Sequence, residues 1–182
     1  MLAGELYDAG DPELVADRRR CERLLRSFND APDDEARRAV LAELLGEMGE
    51  GSEIRPPFAC DYGYNIALGA GAFLNFGCVI LDVVQVTIGD RAQLASGVQL
   101  LAADHPLDPA IRRTGREFGR PITIGANAWL GAGAIVCPGV NVGEDSVIGA
   151  GSVVTRDIPA GVLAVGSPCR VVRELPTGEP PG

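Results

Sequence analysis

Residues 122–154 read ITIGANAWLGAGAIVCPGVNVGEDSVIGAGSVV, and large aliphatic residues recur in this stretch at every sixth position. The same spacing runs through two earlier blocks, 66–80 and 86–100. The anchors of the three blocks are Leu68, Leu74, Ile80, Ile88, Leu94, Leu100, Ile124, Leu130, Val136, Val142, Ile148 and Val154. A period of six excludes an α-helix, whose apolar residues recur near 3.6, and it leaves no room for hairpins with turn pairs between longer strands.

The positions between the anchors indicate which side chains point inward. Because strand side chains alternate between two faces, each anchor shares a face with the residue two positions earlier, and the residue between them points outward. The outward set is Ala67, Phe73, Val79, Thr87, Gln93, Gln99, Thr123, Trp129, Ile135, Asn141, Val147 and Val153. Three six-residue steps close a triangular turn, and turns stack as parallel strands about 4.8 Å apart. We therefore predict a mainly β fold, a left-handed parallel β-helix of hexapeptide repeats, with twelve steps in about four turns.

The chain before the repeats has a different composition. Residues 1–55 are rich in Arg, Glu, Leu and Ala, which predicts an N-terminal helical cap with helices that begin at Asp11 and Asp33. Residues 56–176 are assigned to the β-helix domain, and residues 177–182 to a tail.

One segment interrupts the repeat. Within residues 101–121, Pro106, Arg112 and Phe118 occupy the positions where aliphatic anchors are expected, so we predict a loop that protrudes from the solenoid. The loop contains His105, the only histidine of the chain.

Charge and composition exclude several classes of function. Asp and Glu outnumber Lys and Arg by 25 to 16, for a net charge of −9, which argues against nucleic-acid and anionic-membrane partners. All of the basic residues are Arg, so a Schiff base on a protein lysine is excluded. No apolar run is long enough to span a membrane and no signal peptide is evident, so we expect a cytoplasmic protein.

Cysteine and histidine counts bear on metal and covalent chemistry. The five cysteines are scattered without a CxxC pair, which indicates free thiols rather than a disulfide framework or zinc ribbon. A zinc-dependent carbonic anhydrase on the same solenoid needs three histidine ligands, so no metal site is expected. An acyl relay through Cys137 remains an enzymatic alternative.

Short motifs lie along nearly the whole chain: LAGELY at 2–7, CDYGYNI at 60–66, NF at 75–76, LD at 81–82, HPLDP at 105–109, PITIG at 121–125, Trp129, and GAGSVVTRDIP at 149–159. On these motifs the chain resembles the maltose and galactoside O-acetyltransferase family, which also includes nodulation-factor acetyltransferases, and it is closer to the maltose enzymes. The resemblance implies acetyl transfer from acetyl-CoA to a sugar hydroxyl, by direct transfer in a homotrimer with sites between subunits.

The resemblance also assigns catalytic roles. His105 aligns with the family's general base, and an imidazole with a reference pKa near 6.5 can take the proton of an attacking hydroxyl. Glu117 matches a carboxylate that orients this histidine, Ala132 supplies a backbone N–H for the oxyanion, and Asn75 is an active-site polar contact.

The remaining assignments concern the two substrates. The coenzyme-binding positions are Trp129, Ala132, Ala150, Thr155, Arg156, Arg170 and Arg173. The acceptor-binding positions are Asp8, Arg18, Asp61, Asn75 and Asp82.

Two alternatives remain open: a non-catalytic β-helix subunit, and an acetyltransferase for a non-sugar acceptor. Repeats alone do not decide between them, because one solenoid serves unrelated functions.

Outward apolar side chains such as Phe73, Trp129 and Ile135 favour a homotrimer, since a monomer would leave them in water.

Overall fold

The N-terminal cap consists of one short strand and two helices in a computed structural model that describes residues 1–176. Strand β1 spans Tyr7–Asp8, helix α1 spans Pro12–Asn29 and helix α2 spans Asp34–Leu44. The side chain of Asp11 caps α1 by accepting from the Glu13 N–H, and Asp33 caps α2 in the same way. Both predicted helix starts are confirmed. Within residues 1–176, no helix has the length and apolar character needed to cross a membrane.

Three parallel sheets form the faces of the solenoid, with strands numbered along the chain. The first face contains β2 Glu47–Met48, β5 Ile66–Leu68, β8 Val86–Ile88, β13 Ile122–Ile124 and β16 Asn141–Val142. The second contains β3 Glu53–Ile54, β6 Phe73–Leu74, β9 Gln93–Leu94, β14 Trp129–Leu130, β17 Val147–Ile148 and β19 Val162–Val165. The third contains β4 Ala59–Cys60, β7 Val79–Leu81, β10 Gln99–Leu101, β15 Ile135–Val136 and β18 Val153–Val154. Strand β20, Arg170–Glu174, pairs antiparallel with β19.

The faces repeat in the order first, second, third, which confirms the predicted parallel β-helix. Anchors stack directly on anchors, so that Leu94 lies between Leu74 and Leu130 on the second face. All twelve predicted anchors are buried, and none of the twelve predicted outward residues is. The interior is therefore an aliphatic column that gains its stability from burial of stacked side chains.

The β-helix begins earlier than the predicted border at residue 56. Strands β2 and β3 already pair in register with β5 and β6 of the next turn. With this turn, five complete turns are present within residues 1–176, and the Val142–Ile158 bridge and β19 begin a sixth. The predicted tail, 177–182, lies outside the described residues.

The cap is attached to the first turns by side chains of α1. Tyr64 donates to the Asp17 carboxylate over 3.0 Å, and the Asn29 side chain exchanges two hydrogen bonds with the Phe58 backbone. The thiols of Cys21 and Cys60 lie 3.5 Å apart at the same interface. All five cysteines are free, as the sequence predicted.

Residues 101–121 leave the solenoid after β10 and return at β13. They contain β11 Ala103–Asp104, a short helix α3 Pro109–Arg112, and β12 Arg116–Gly119. Strand β12 pairs antiparallel with β11 on one side and with β1 of the cap on the other. The loop tip projects into solvent, with Leu107 92% exposed. The N-terminal strand and the protruding loop therefore form one small sheet.

Candidate active site

His105 directly follows β11, and its backbone is fixed by the residue before it. The Asp104 carboxylate accepts the backbone N–H of His105 over 2.8 Å and a guanidinium N–H of Arg120 over 2.6 Å. The imidazole is 60% exposed. An accessible side chain on a constrained backbone is the arrangement that a residue needs when it meets a substrate.

Glu117 lies beside His105 on the neighbouring strand. Its Oε2 is 3.8 Å from the imidazole Nε2, and its other carboxylate oxygen accepts the hydroxyl hydrogen of Tyr7. The Glu117 side chain is 19% exposed, so water screens the pair only partly. The structure thus brings together the two residues that the sequence assigned as base and orienting carboxylate.

Asp61 and Arg18 add opposite charges to the cluster that His105, Glu117 and Tyr7 form, which we call the His105 cluster. Arg18 reaches from α1 to donate to the Tyr62 hydroxyl over 2.8 Å and to the carbonyl oxygen of Ala9 over 2.5 Å. Burial raises the pKa of the half-buried Asp61 carboxyl, the negative charge of Glu117 raises it further, and Arg18 opposes both effects. Two carboxylates and one guanidinium therefore surround the region next to the imidazole.

Asp82 has a different position from the one expected of an acceptor-binding residue. Its side chain is 0% exposed, and its two oxygens accept four backbone N–H groups, from Asp61, Tyr62, Gly63 and Asn65. Desolvation raises its pKa to about 6, against the effect of these bonds. With no exposed surface and four donors already bound, Asp82 shapes the 61–65 corner instead of contacting a ligand.

Asp8 lies on β1 next to the strand that carries Glu117, whereas Asn75 lies at a corner of the solenoid. Asp8 is exposed, pairs with Arg116 across β1 and β12, and accepts the Gly10 N–H. Asn75 follows β6 at the corner between the second and third faces, where its side chain accepts the Phe76 N–H over 2.8 Å. Within residues 1–176, Asn75 lies at a different corner of the solenoid from the one that the His105 loop leaves.

The positions assigned to the coenzyme are all exposed. Trp129 is 52% exposed on the second face, and Ala132 and Ala150 stack at the corner that also carries Asn75. Thr155 and Arg156 follow β18 at the corner between the third and first faces. The last two, Arg170 and Arg173, lie on β20.

These positions divide between two edges of the triangular prism. Asn75, Ala132 and Ala150 lie on the edge between the second and third faces. The loop with His105 and Glu117 departs from a second edge, between the third and first faces, which also carries Asp61 and Arg156. In a single chain, the two groups of assigned positions therefore lie on separate edges.

Sequence reasoning missed several members of the His105 cluster. Tyr7 and Tyr62 lie within quoted motifs but had no assigned role, and Asp104 and Arg120 lie near the two ends of the loop without one. A contact such as Tyr7 to Glu117, 110 residues apart, has no signal in local spacing. Within residues 1–176, no group of three or more His, Cys, Asp and Glu side chains is arranged to hold a metal ion.

Comparisons with known proteins agree with this geometry. Residues 1–49 match the maltose acetyltransferase hexapeptide capping motif, and residues 121–156 match the hexapeptide repeat of succinyl-transferase. Nodulation protein L of Rhizobium meliloti is 53% identical over 94% of this chain and 94% of its own length.

Two solved structures superpose closely on the chain. A maltose O-acetyltransferase from Clostridium difficile gives a TM-score of 0.94 at 44% identity, over 97% of this chain and 95% of the other. A galactoside acetyltransferase in complex with coenzyme A gives a TM-score of 0.91 at 40% identity, over 96% of this chain and 88% of the other.

Repeat solenoid, helical cap and near full-length similarity define a hexapeptide-repeat acyltransferase. More specifically, the chain belongs to the galactoside and maltose O-acetyltransferase family and is an acetyltransferase of that family.

Proposed function

We propose that the protein transfers an acetyl group from acetyl-CoA to a hydroxyl of a sugar, such as maltose or a related glycoside, with His105 as general base. The observation that carries the proposal is the exposed imidazole of His105 with the Glu117 carboxylate 3.8 Å away. A hydroxyl is a weak nucleophile at neutral pH, and a positioned imidazole overcomes this by accepting its proton during attack.

The reaction needs no covalent enzyme intermediate. The hydroxyl oxygen forms a bond to the acetyl carbonyl carbon while His105 takes the hydroxyl proton, and Glu117 stabilises the resulting imidazolium. The backbone N–H of Ala132 is proposed to bind the oxyanion. The carbon–sulfur bond then breaks, and the imidazolium returns the proton to the departing coenzyme A thiolate. A relay through Cys137 is disfavoured, because burial raises the pKa of its thiol.

The charges around His105 support a polyhydroxylated acceptor. Asp61 offers a half-buried carboxylate, which accepts hydrogen bonds from hydroxyl groups, and Arg18 and Asp8 lie on the cap side of the same cluster. Asn75 is proposed to complete this half of the site from another subunit. Asp82 acts indirectly, by holding the corner on which Asp61 lies.

The division of the site between two edges supports a homotrimer with sites between subunits. Packing the edge with Ala132 and Ala150 against the His105 edge of a second copy brings the two groups of assigned positions together. It also covers the half-exposed Trp129 on the second face. In this arrangement Arg156, Arg170 and Arg173 supply positive charge for the coenzyme phosphates, and Thr155 supplies a neutral hydroxyl for a hydrogen bond.

Thiol release from acetyl-CoA in the presence of single acceptors tests this function. We expect release that depends on maltose, glucose or a galactoside, and only slow release with buffer alone. Release with an amine or a non-sugar alcohol alone would indicate a non-sugar acetyltransferase. No release with any acceptor would contradict catalysis and favour a structural β-helix subunit.

The oligomeric state provides a separate prediction. Light scattering coupled to size-exclusion chromatography should give a mass three times that of one chain at micromolar concentration, because the half-exposed apolar outer residues are buried only on assembly. A Trp129→Glu variant should shift the protein towards smaller species, since it places a charge in the proposed interface. Ser27→Glu on the exposed surface of α1 should leave the mass unchanged, which controls for a general effect of charge. A wild-type monomer would contradict the shared-site arrangement.

A further inference from the structure

Tyr7 is a nearly buried residue of the N-terminal strand that the proposed reaction does not use. Its side chain is 9% exposed, and its backbone pairs directly with Glu117 across β1 and β12. Its hydroxyl donates a hydrogen bond to Glu117 Oε1. The contact links the first residues of the chain to the protruding loop.

The Tyr7 hydroxyl donates to one carboxylate oxygen of Glu117, and the other oxygen of that carboxylate faces the imidazole of His105. Glu117 has several rotatable bonds, and a glutamate side chain without a hydrogen-bond partner samples several rotamers. A hydrogen bond at Oε1 fixes the carboxylate plane, which leaves Oε2 directed at His105 Nε2. The imidazole itself is 60% exposed, so its own packing against the protein constrains it little.

The surroundings keep the Tyr7 hydroxyl protonated. Burial raises the pKa of Tyr7 well above its ordinary value, and the hydrogen bond to Glu117 and the charge of that carboxylate raise it further. Tyr7 therefore remains a donor across the neutral pH range, and the direction of the bond is fixed because an ionised carboxylate only accepts.

We propose that Tyr7 is a positioning residue for the general base: through Glu117 it holds the imidazole of His105 in its working orientation. The N-terminal strand thus completes the active site as well as covering the solenoid. This inference rests on the proposed function, in which His105 accepts the hydroxyl proton.

The Tyr7→Phe variant removes only the hydroxyl. We expect kcat to fall about tenfold while the KM for acetyl-CoA stays within twofold, because the substitution disturbs orientation and not coenzyme binding. Tyr64→Phe is the matched control, since it removes another tyrosine–carboxylate bond at the cap, to Asp17, without touching Glu117. An unchanged kcat in Tyr7→Phe, or an equal fall in Tyr64→Phe, would overturn the proposal.

A double-mutant cycle separates positioning from general stability. Once Glu117→Ala has removed the carboxylate, Tyr7→Phe should change kcat no further, whereas a purely structural role predicts the same fall in both backgrounds. Additive losses would therefore contradict the proposal.

A spectroscopic measurement makes the test independent of activity. Because the chain has one histidine, a sample labelled with ¹³C-histidine gives a single imidazole correlation in NMR spectra. Tyr7→Phe and Glu117→Ala should both displace this signal, and Tyr64→Phe should leave it in place. An unmoved signal in folded Tyr7→Phe would refute the positioning role even if His105 proves to be the base. Displacement in an enzyme that needs no His105 would instead refute the proposed function.

Discussion

Replacing His105 by Ala should lower kcat for acetyl transfer by about 10² to 10⁴, or roughly 2.7–5.5 kcal/mol of activation free energy. The imidazole is 60% exposed and its proposed role is proton removal during attack, so coenzyme affinity should change little. Steady-state kinetics with a saturating sugar acceptor measure the first effect, and titration calorimetry with coenzyme A measures the second.

A suitable control lies in the same loop. Arg113 is exposed at the end of α3, and Arg113→Ala should retain nearly the wild-type rate. A His105→Ala enzyme with more than about a tenth of wild-type kcat would show that another group removes the proton, and no second histidine exists to replace it. Parallel losses of kcat and coenzyme binding would indicate a collapsed loop instead of a missing base.

The repeat region was predictable because its signal is local. Burial of Leu74, Leu94 and Leu130 follows from spacing alone, since each six-residue step places one aliphatic side chain inside the prism. The outward position of Trp129 follows from the same alternation.

The first turn was missed although a weak signal exists. Met48, Ile54 and Cys60 also keep a spacing of six, but Glu47 and Glu53 precede two of them and Pro56–Pro57 lies between Ile54 and Cys60, so the segment does not look like a regular repeat. Met48 and Cys60 are only partly buried, so a turn next to the cap requires less regular anchors than an internal turn. The composition of residues 1–55 therefore led to a predicted start of the β-helix, at residue 56, that lies too late in the chain.

The site was predictable only in part because its contacts cross the fold. The interrupted repeat singled out His105 within the loop. The bond from Tyr7 to Glu117 depends on β1 joining the sheet of the loop, which no spacing within either segment encodes. Asp82 is a further case, since a carboxylate at a corner is exposed or buried according to the backbone stacked on it from the previous turn.

Asp82 provides the second large prediction, on stability. Asp82→Ala should lower the free energy of unfolding by more than about 3 kcal/mol, because it leaves four buried backbone N–H groups without their acceptor at a cost of about 1–3 kcal/mol each before relaxation. For a chain of this size the melting temperature should fall by roughly 10 °C, which calorimetry can measure.

Asp90→Ala is the matched comparison for this prediction. Asp90 is an exposed corner aspartate that accepts a single backbone N–H, from Ala70 over 2.8 Å, so its loss should cost about 1 kcal/mol or less. Because Asp82 also holds the backbone of Asp61 and Tyr62, Asp82→Ala should raise the KM for the acceptor more than the KM for acetyl-CoA. Equal stability of the two variants would contradict the structural role of Asp82. An Asp82→Ala protein that keeps wild-type stability and loses only acceptor binding would show that the carboxylate meets the substrate directly.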